Sequence, residues 1–209
     1  MRNVVLRPEA ARQLDELTKS MRARIHAVLA RLQQWPEVSG AKPLTGNLAG
    51  HYRVRTGDYR IQFSVTPDKL IVERVGHRDG FYEGRNMPHQ IVTAKGQRFV
   101  MVPVAEWRRV ERLTAKAVTS KTAPKFPAIP QAEQDGTLPA LAYIQVSIAR
   151  DVLRERTALG LTQEQLAKLA GVREETLSRL ESGKHSPTVR TVEKIERALQ
   201  KAAKKNQRA

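Results

Sequence analysis

Apolar spacing changes period along this chain, and no single layer of secondary structure satisfies all of it. Ala10, Leu14, Leu17, Met21, Ile25, Val28, Leu29 and Leu32 recur every three or four positions, which makes one helical face. Tyr59, Ile61, Phe63 and Val65 alternate instead, which makes one face of a strand. After residue 141 the helical period returns, at Ile148, Leu153 and Leu159 and again at Val189, Val192, Ile195 and Leu199. Between the two regimes lie Pro124, Pro127, Pro130 and Pro139, with Gly136 and little periodicity. Residues 117–140 therefore read as a semi-extended linker. A chain of 209 residues, at about 100–150 per domain, has room for two small domains joined this way.

The first part reads as strand, helix, then three strands. Val4-Val5-Leu6 is a short strand, and Pro8 suits a first helical turn. Ser20 as a cap leaves either a helical hairpin or one long helix, ended by Trp35-Pro36. His51–Arg55, Tyr59–Val65 and Leu70–Val75 follow, separated by Thr56-Gly57-Asp58 and Thr66-Pro67-Asp68. The expected fold class is α+β, with helices on one face of a mainly antiparallel sheet. A new unit starts at Met87. Ile91-Val92-Thr93 and Phe99–Val102 flank Lys95-Gly96 as a hairpin, and Pro103 opens a helix carrying Trp107, Val110 and Leu113. This unit is too small to bury that stripe alone, so it is expected to lie against residues 1–86.

Charge narrows the partners. The formal net charge is +16, spread as +6 over residues 1–86, +4 over 87–140 and +6 over 141–209. A basic surface attracts phosphate, and no single tail holds this excess. With no cysteine, disulfides, thiolate metal sites and cysteine nucleophiles are excluded. Neither a metal nor a cofactor is expected. No stretch approaches the ~20 apolar residues of a membrane span. The N-terminus lacks the apolar core of a signal peptide, so a cytoplasmic location and no membrane partner are expected.

In the C-terminal part, Thr162 caps Gln163–Ala170, Gly171 turns the chain, and Arg173–Glu181 forms a second short helix before Gly183. Two short helices joined by a glycine-containing turn make an all-α helix-turn-helix. Ala167 is small where the helices cross, and Val172, Leu177 and Leu180 point to a core. Residues 148–200 resemble the Xre-type helix-turn-helix of lambdoid phage repressors and HigA-like antitoxins. The resemblance implies that Arg173–Arg179 is a recognition helix in the DNA major groove. Arg173, Glu174, Glu175 and Arg179 then occupy base-reading positions, and Thr176 and Ser178 also face outward. Gln163 holds a phosphate, and Lys184 and His185 lie on the backbone.

The N-terminal motifs are Tyr52-Arg53-Val54-Arg55, Gly57-Asp58-Tyr59-Arg60-Ile61, Val75-Gly76-His77-Arg78 and Tyr82. Residues 1–85 resemble RelE/ParE-type toxins. RelE-like members are messenger-RNA endonucleases that act on the ribosome, and ParE-like members poison gyrase. Cleavage of RNA by its own 2′-OH needs a proton acceptor, a proton donor for the 5′-oxygen, and cations on the phosphate. The resemblance implies Arg60, Arg78 and Tyr82 as catalytic residues, with Tyr82 two positions nearer Arg78 than in the family. Arg53 and Arg55 alternate onto one strand face and would bind RNA. RelE has lysines there, and arginine is a poor base, so His77 is the expected base and His51 a second candidate.

Met87-Pro88-His89-Gln90-Ile91-Val92 reads like the start of an antitoxin, as if two adjacent genes were joined near residue 86. The expected organisation is a toxin domain over 1–86, a neutralising hairpin and helix over 87–116, the linker, a helix-turn-helix domain over 141–204 and a basic tail over 205–209. Ile91, Val92, Phe99, Trp107, Val110 and Leu113 are the expected neutralising residues, acting within one chain or between two. The expected partners are operator DNA, the ribosome with its mRNA, and a second copy in a homodimer. A transcriptional regulator with an inactive toxin domain and a gyrase-poisoning fusion are the alternatives.

Overall fold

The computed structural model describes residues 1–79, 81, 90–94, 97–101, 125–186 and 188–206. The chain starts with strand β1 (Asn3–Leu6) and a helical hairpin, α1 (Pro8–Asp15) and α2 (Lys19–Leu32). The break between the helices settles the hairpin against the single long helix. Its cap is Thr18 rather than Ser20: the Thr18 hydroxyl accepts from the Met21 amide at 3.3 Å, so the helix starts before the serine. Strands β2 (Lys42–Pro43), β3 (His51–Thr56), β4 (Tyr59–Val65) and β5 (Lys69–His77) complete the N-terminal fold.

Strand order in the main sheet is β2-β3-β4-β5-β1-β8, where β8 is Leu138–Pro139. All neighbours are antiparallel except β1 and β5, which run parallel. Alternation along the strands puts Val4, Leu6, Val54, Ile61, Phe63 and Val72 against Leu14, Ile25, Leu29 and Leu32 of the helices, all of them buried. Trp35, after α2, joins this layer through edge contacts to Tyr52 and Phe63, with ring centroids 4.6 and 5.5 Å away.

Strand β8 corrects the reading of residues 117–140 as a linker. Leu138 and Pro139 pair with Leu6 and Val5 and add an edge strand to the N-terminal sheet. An edge position tolerates the proline because its missing N–H faces no ladder. Lys69 holds the approach to this strand, with its ammonium 2.6 Å from Glu133 and 2.8 Å from Asp135. That ammonium and the Thr137 hydroxyl hold the Asp135 carboxyl far below the usual carboxylate range. Pro127 lies against Gly183, where a Cβ would come within 3.2 Å of it. Phe126 lies under the guanidinium of Arg150 at 5.2 Å.

Four helices follow: α3 (Ala140–Ala158), α4 (Gln163–Ala170), α5 (Glu174–Glu181) and α6 (Val189–Asn206). The last helix runs past residue 204, so Lys205 continues it rather than starting a tail. Cations at a helix C-terminus are favoured by the macrodipole, and Lys204 and Lys205 occupy the last turn. Residues 1–81 and 124–209 form one compact unit, because α3 and α6 pack on α2.

The contact between α2 and the C-terminal helices is charged, with signs sorted by side. Arg22, 3% exposed, pairs with Asp151 and donates to the Ser147 hydroxyl at 3.0 Å. Lys19, 8% exposed, lies 2.7 Å from Glu155 and 4.0 Å from Glu196. Arg24 meets Glu193 at 2.6 Å. The Tyr143 hydroxyl donates to Asp15 at 2.6 Å, and burial with that carboxylate pushes the phenol upward. His26 lies beside Ser186, and burial pushes its imidazole below its usual value. Both halves of the chain are net basic, yet the ion pairs that join them draw bases from the N-terminal side and acids from the C-terminal side.

Residues 82–123 form a second unit. Its described part is a hairpin, β6 (Gln90–Ala94) and β7 (Gln97–Met101), with Ile91 opposite Val100 and Val92 opposite Phe99.

Candidate nucleic-acid surfaces

The sheet face turned away from α1 and α2 is where the expected RNA site falls. Strand alternation places His51, Arg53 and Arg55 of β3 on that face, with Gln62 and Arg60 of β4 and Arg74 and Gly76 of β5. Arg55 stands opposite Arg60, and Arg53 opposite Gln62. Arg60 stands opposite Gly76, and a side chain at Gly76 would come within 3.2 Å of the Phe81 ring. Arg74 crosses that ring at 5.4 Å. At the β3–β4 turn, Arg55, Arg60 and Arg78 converge with Gly57 and Asp58 on a pocket of about 100 Å³. The Arg78 amide donates to the Asp58 carbonyl at 2.8 Å, which ties the end of β5 to this turn. Its guanidinium lies 3.5 Å from Asp58 and 3.2 Å from Asp79.

His77 is not brought to this cluster. It pairs with Tyr59, so its ring lies on the helix-facing side of the sheet, 5.4 Å edge-on from the Tyr59 ring. Its Nδ1 is 3.3 Å from Asp79. Strand alternation is the reason: His77 and Gly76 are consecutive and must face opposite ways. His51 shares the arginine face, and its buried Nδ1 has no hydrogen-bond partner among the described residues. Tyr82 lies outside the described residues, as do Trp107, Val110 and Leu113. Ile91, Val92 and Phe99 lie in the β6–β7 hairpin.

The C-terminal helices form the expected bihelical unit. Thr162 and Gln165 make a reciprocal capping box at the start of α4, and Gly171 ends it in the left-handed region at φ 61°. Leu166, Ala167, Leu177 and Leu180 are buried where α4 and α5 cross. Glu181, 4% exposed, is gripped by Arg156 at 2.6 and 2.9 Å and by the Gln163 amide at 2.7 Å. One N–H of the Gln163 side chain is thus engaged by Glu181, and its backbone amide lies at the start of α4. Alanine at Glu181 would strand the guanidinium of Arg156, so about 3 kcal/mol of stability should be lost in a urea titration. A loss below ~1 kcal/mol would show that the grip is incidental.

On the outer side of α5, Arg173, Glu174, Glu175, Ser178 and Arg179 are exposed, and Thr176 is half-buried. Glu174 and Glu175 sit in the first turn, where the helix dipole favours acids, and Glu175 pairs with Arg179 one turn on. That gives them a local role besides base reading. Lys184 and His185 are exposed in the loop after α5.

The comparisons with known proteins divide at the same place. Residues 152–204 match the helix-turn-helix family. An uncharacterised helix-turn-helix transcriptional regulator of Archaeoglobus fulgidus is 51% identical over 51 residues, which cover 24% of this chain and 73% of that protein. The chain belongs to the helix-turn-helix transcriptional regulators. A second such regulator, from Methanothermobacter thermautotrophicus, is 47% identical over 51 residues, 24% of this chain and 74% of its own length. Residues 4–80 match the ParE toxin of the parDE type II toxin–antitoxin system. The regulator therefore carries a ParE/RelE-family toxin domain ahead of its helix-turn-helix domain. Among solved structures, the RelBE2 toxin–antitoxin complex from Mycobacterium tuberculosis is 28% identical at TM-score 0.30, covering 37% of this chain and 98% of that one. The RelB–RelE complex from Methanococcus jannaschii is 25% identical at TM-score 0.33, covering 38% and 95%. Among the described residues, no helix is long and apolar enough to cross a membrane.

The sequence reading missed two sets of residues. Asp58 reads as a turn former, and only the return of Arg78 shows that it also lines the arginine pocket. The residues that join the two domains carried a faint signal: Tyr143, Ser147, Asp151 and Glu155 recur every four positions on α3, a polar stripe beside the apolar one.

Proposed function

We propose that the chain is a fused type II toxin–antitoxin protein. Its toxin domain is a ribosome-dependent mRNA endonuclease, silent in the joined chain, and its helix-turn-helix domain binds operator DNA as a homodimer and represses its own gene. The observation that carries this reading is the convergence of Arg55, Arg60 and Arg78 on one pocket at the β3–β4 turn. In such a site the arginines hold the scissile phosphate and stabilise its added charge while the 2′-oxygen bonds to phosphorus and the 5′-oxygen leaves. Asp58, which lines the same pocket, is a carboxylate able to accept the 2′-OH proton, and His51 is a histidine on the arginine-bearing sheet face. Arg53 and Arg55 track the RNA strand. Tyr82 stays a candidate by resemblance alone.

The helix-turn-helix domain docks through α3 and α6 on α2, across the sheet from these arginines, while the outer side of α5 stays exposed. That favours DNA binding by the joined chain. Residues 87–116 are the segment proposed to silence the toxin, and being themselves basic they do not do so by charge. Both substrates place the protein in the cytoplasm.

Primer extension on messenger RNA after expressing residues 1–86, and separately the whole chain, tests the proposal. New 5′ ends within translated messages are expected for residues 1–86 and absent for the whole chain. A folded 1–86 piece that is harmless and inert on translating ribosomes refutes the endonuclease, leaving a regulator with an inactive toxin domain.

A further inference from the structure

Helix α6 sorts its side chains into three strips. Val192, Ile195, Ala198 and Leu199 are buried in the helix-turn-helix core. Glu193 and Glu196 turn toward α2, where they meet Arg24 at 2.6 Å and Lys19 at 4.0 Å. Arg190, Lys194, Arg197, Lys201, Lys204 and Lys205 occupy the rest, and all six are exposed. At about 100° per residue these six share one side of the helix and span roughly 22 Å of its axis. The acids that would cancel this strip are held at the domain contact instead. The strip also starts beside the DNA-reading elements: the Lys194 ammonium donates to the carbonyl of Gly171, the residue that joins α4 to α5, at 3.3 Å.

We propose that this strip is a second DNA-binding surface, which lies along the phosphate backbone of duplex flanking the segment met by α5. The inference rests on the DNA-binding reading above and extends it. Cations in a row favour a regular polyanion, and their gain comes from released counterions, independent of sequence. A membrane surface is disfavoured because the apolar side of α6 is fully used inside the domain, leaving nothing to insert.

The test uses the whole chain and a random-sequence duplex of about 30 base pairs, with affinity measured by fluorescence anisotropy from about 50 to 200 mM KCl. The variant Lys201→Gln/Lys204→Gln/Lys205→Gln should reduce the slope of log affinity against log salt by about 2–3, near 0.9 per lost phosphate contact. Its affinity at low salt should fall by about tenfold or more. Arg12→Gln/Arg31→Gln/Lys125→Gln removes the same charge from exposed sites elsewhere and should leave the slope unchanged. An unchanged slope in the first variant, or an equal loss in the second, overturns the proposal. So does a first variant that keeps duplex DNA but loses single-stranded RNA. Arg173→Ala/Arg179→Ala, measured on operator DNA in parallel, separates the two ideas. If it weakens binding and the strip variant does not, only the strip fails. If it has no effect while the strip variant does, the groove assignment of α5 fails and the strip stands.

Discussion

Alanine at both Arg60 and Arg78 is expected to lower mRNA cleavage by residues 1–86 by ~100-fold or more, and to abolish any growth arrest that the piece causes. One preorganised donor to a charged transition state contributes about 2.7–4 kcal/mol. Arg60 is set for that role by its strand: half-buried, opposite Arg55 on one side and Gly76 on the other, it has little freedom to swing. Arg78 is exposed, yet its backbone is tied to the Asp58 carbonyl and its guanidinium faces two carboxylates. Lysine at either position should restore only part of the rate, because a point charge cannot bridge two phosphate oxygens as the planar fork does. Arg12→Ala, in an exposed ion pair with Glu9 on α1, should cut normally. Cleavage of the same sites at an undiminished rate by the double variant would show that the phosphate lies elsewhere. Primer extension reads each outcome at single-nucleotide resolution.

Removing the carboxylate of Asp151 should destabilise the whole chain by about 3–5 kcal/mol, a large part of the ~5–15 kcal/mol that typically separates folded from unfolded. Arg22 is 3% exposed; among the described residues its Nε has no hydrogen-bond partner, and without Asp151 the Ser147 hydroxyl is what remains to its guanidinium. A charge left buried in that state costs more than the pair itself contributes. Arg22→Met/Asp151→Leu should therefore recover most of the loss, since it removes both charges and keeps the volume. Urea titration of whole-chain variants measures both numbers. A single-variant loss within about 0.5 kcal/mol would show that the domain contact does not hold the two parts together.

Much of the architecture was legible in local pattern. The apolar stripe of α2, the alternation of β4 and the glycine break at Gly171 each depend on neighbours within a turn or a few residues, and each predicts its own element. The exposed side of α5 was legible the same way, because a helix only eight residues long that buries Leu177 and Leu180 must turn the rest outward. The strand-borne arginines were legible as a face, since residues two apart share one. That rule also separates His77 from the face that Arg60 shares with its opposite, Gly76, and the motif Gly76-His77-Arg78 hid this by placing the histidine next to an arginine of the pocket.

What the linear chain determined by itself was most of the main helices and strands, the two domain types and the net positive charge, because periodicity, caps and turn residues act locally. The tertiary structure alone decided how those parts combine. It took the proline-bearing stretch that reads as a linker and made Leu138–Pro139 an edge strand on β1, because an open sheet edge offers hydrogen bonds that a solvated linker cannot match. It paired Arg22 with Asp151 and Lys69 with Asp135, partners 129 and 66 positions apart. It drew the acids of α6 to one side and left its cations on the other. Local pattern shows that a residue is charged. Only the folded chain brings the opposite charge to it.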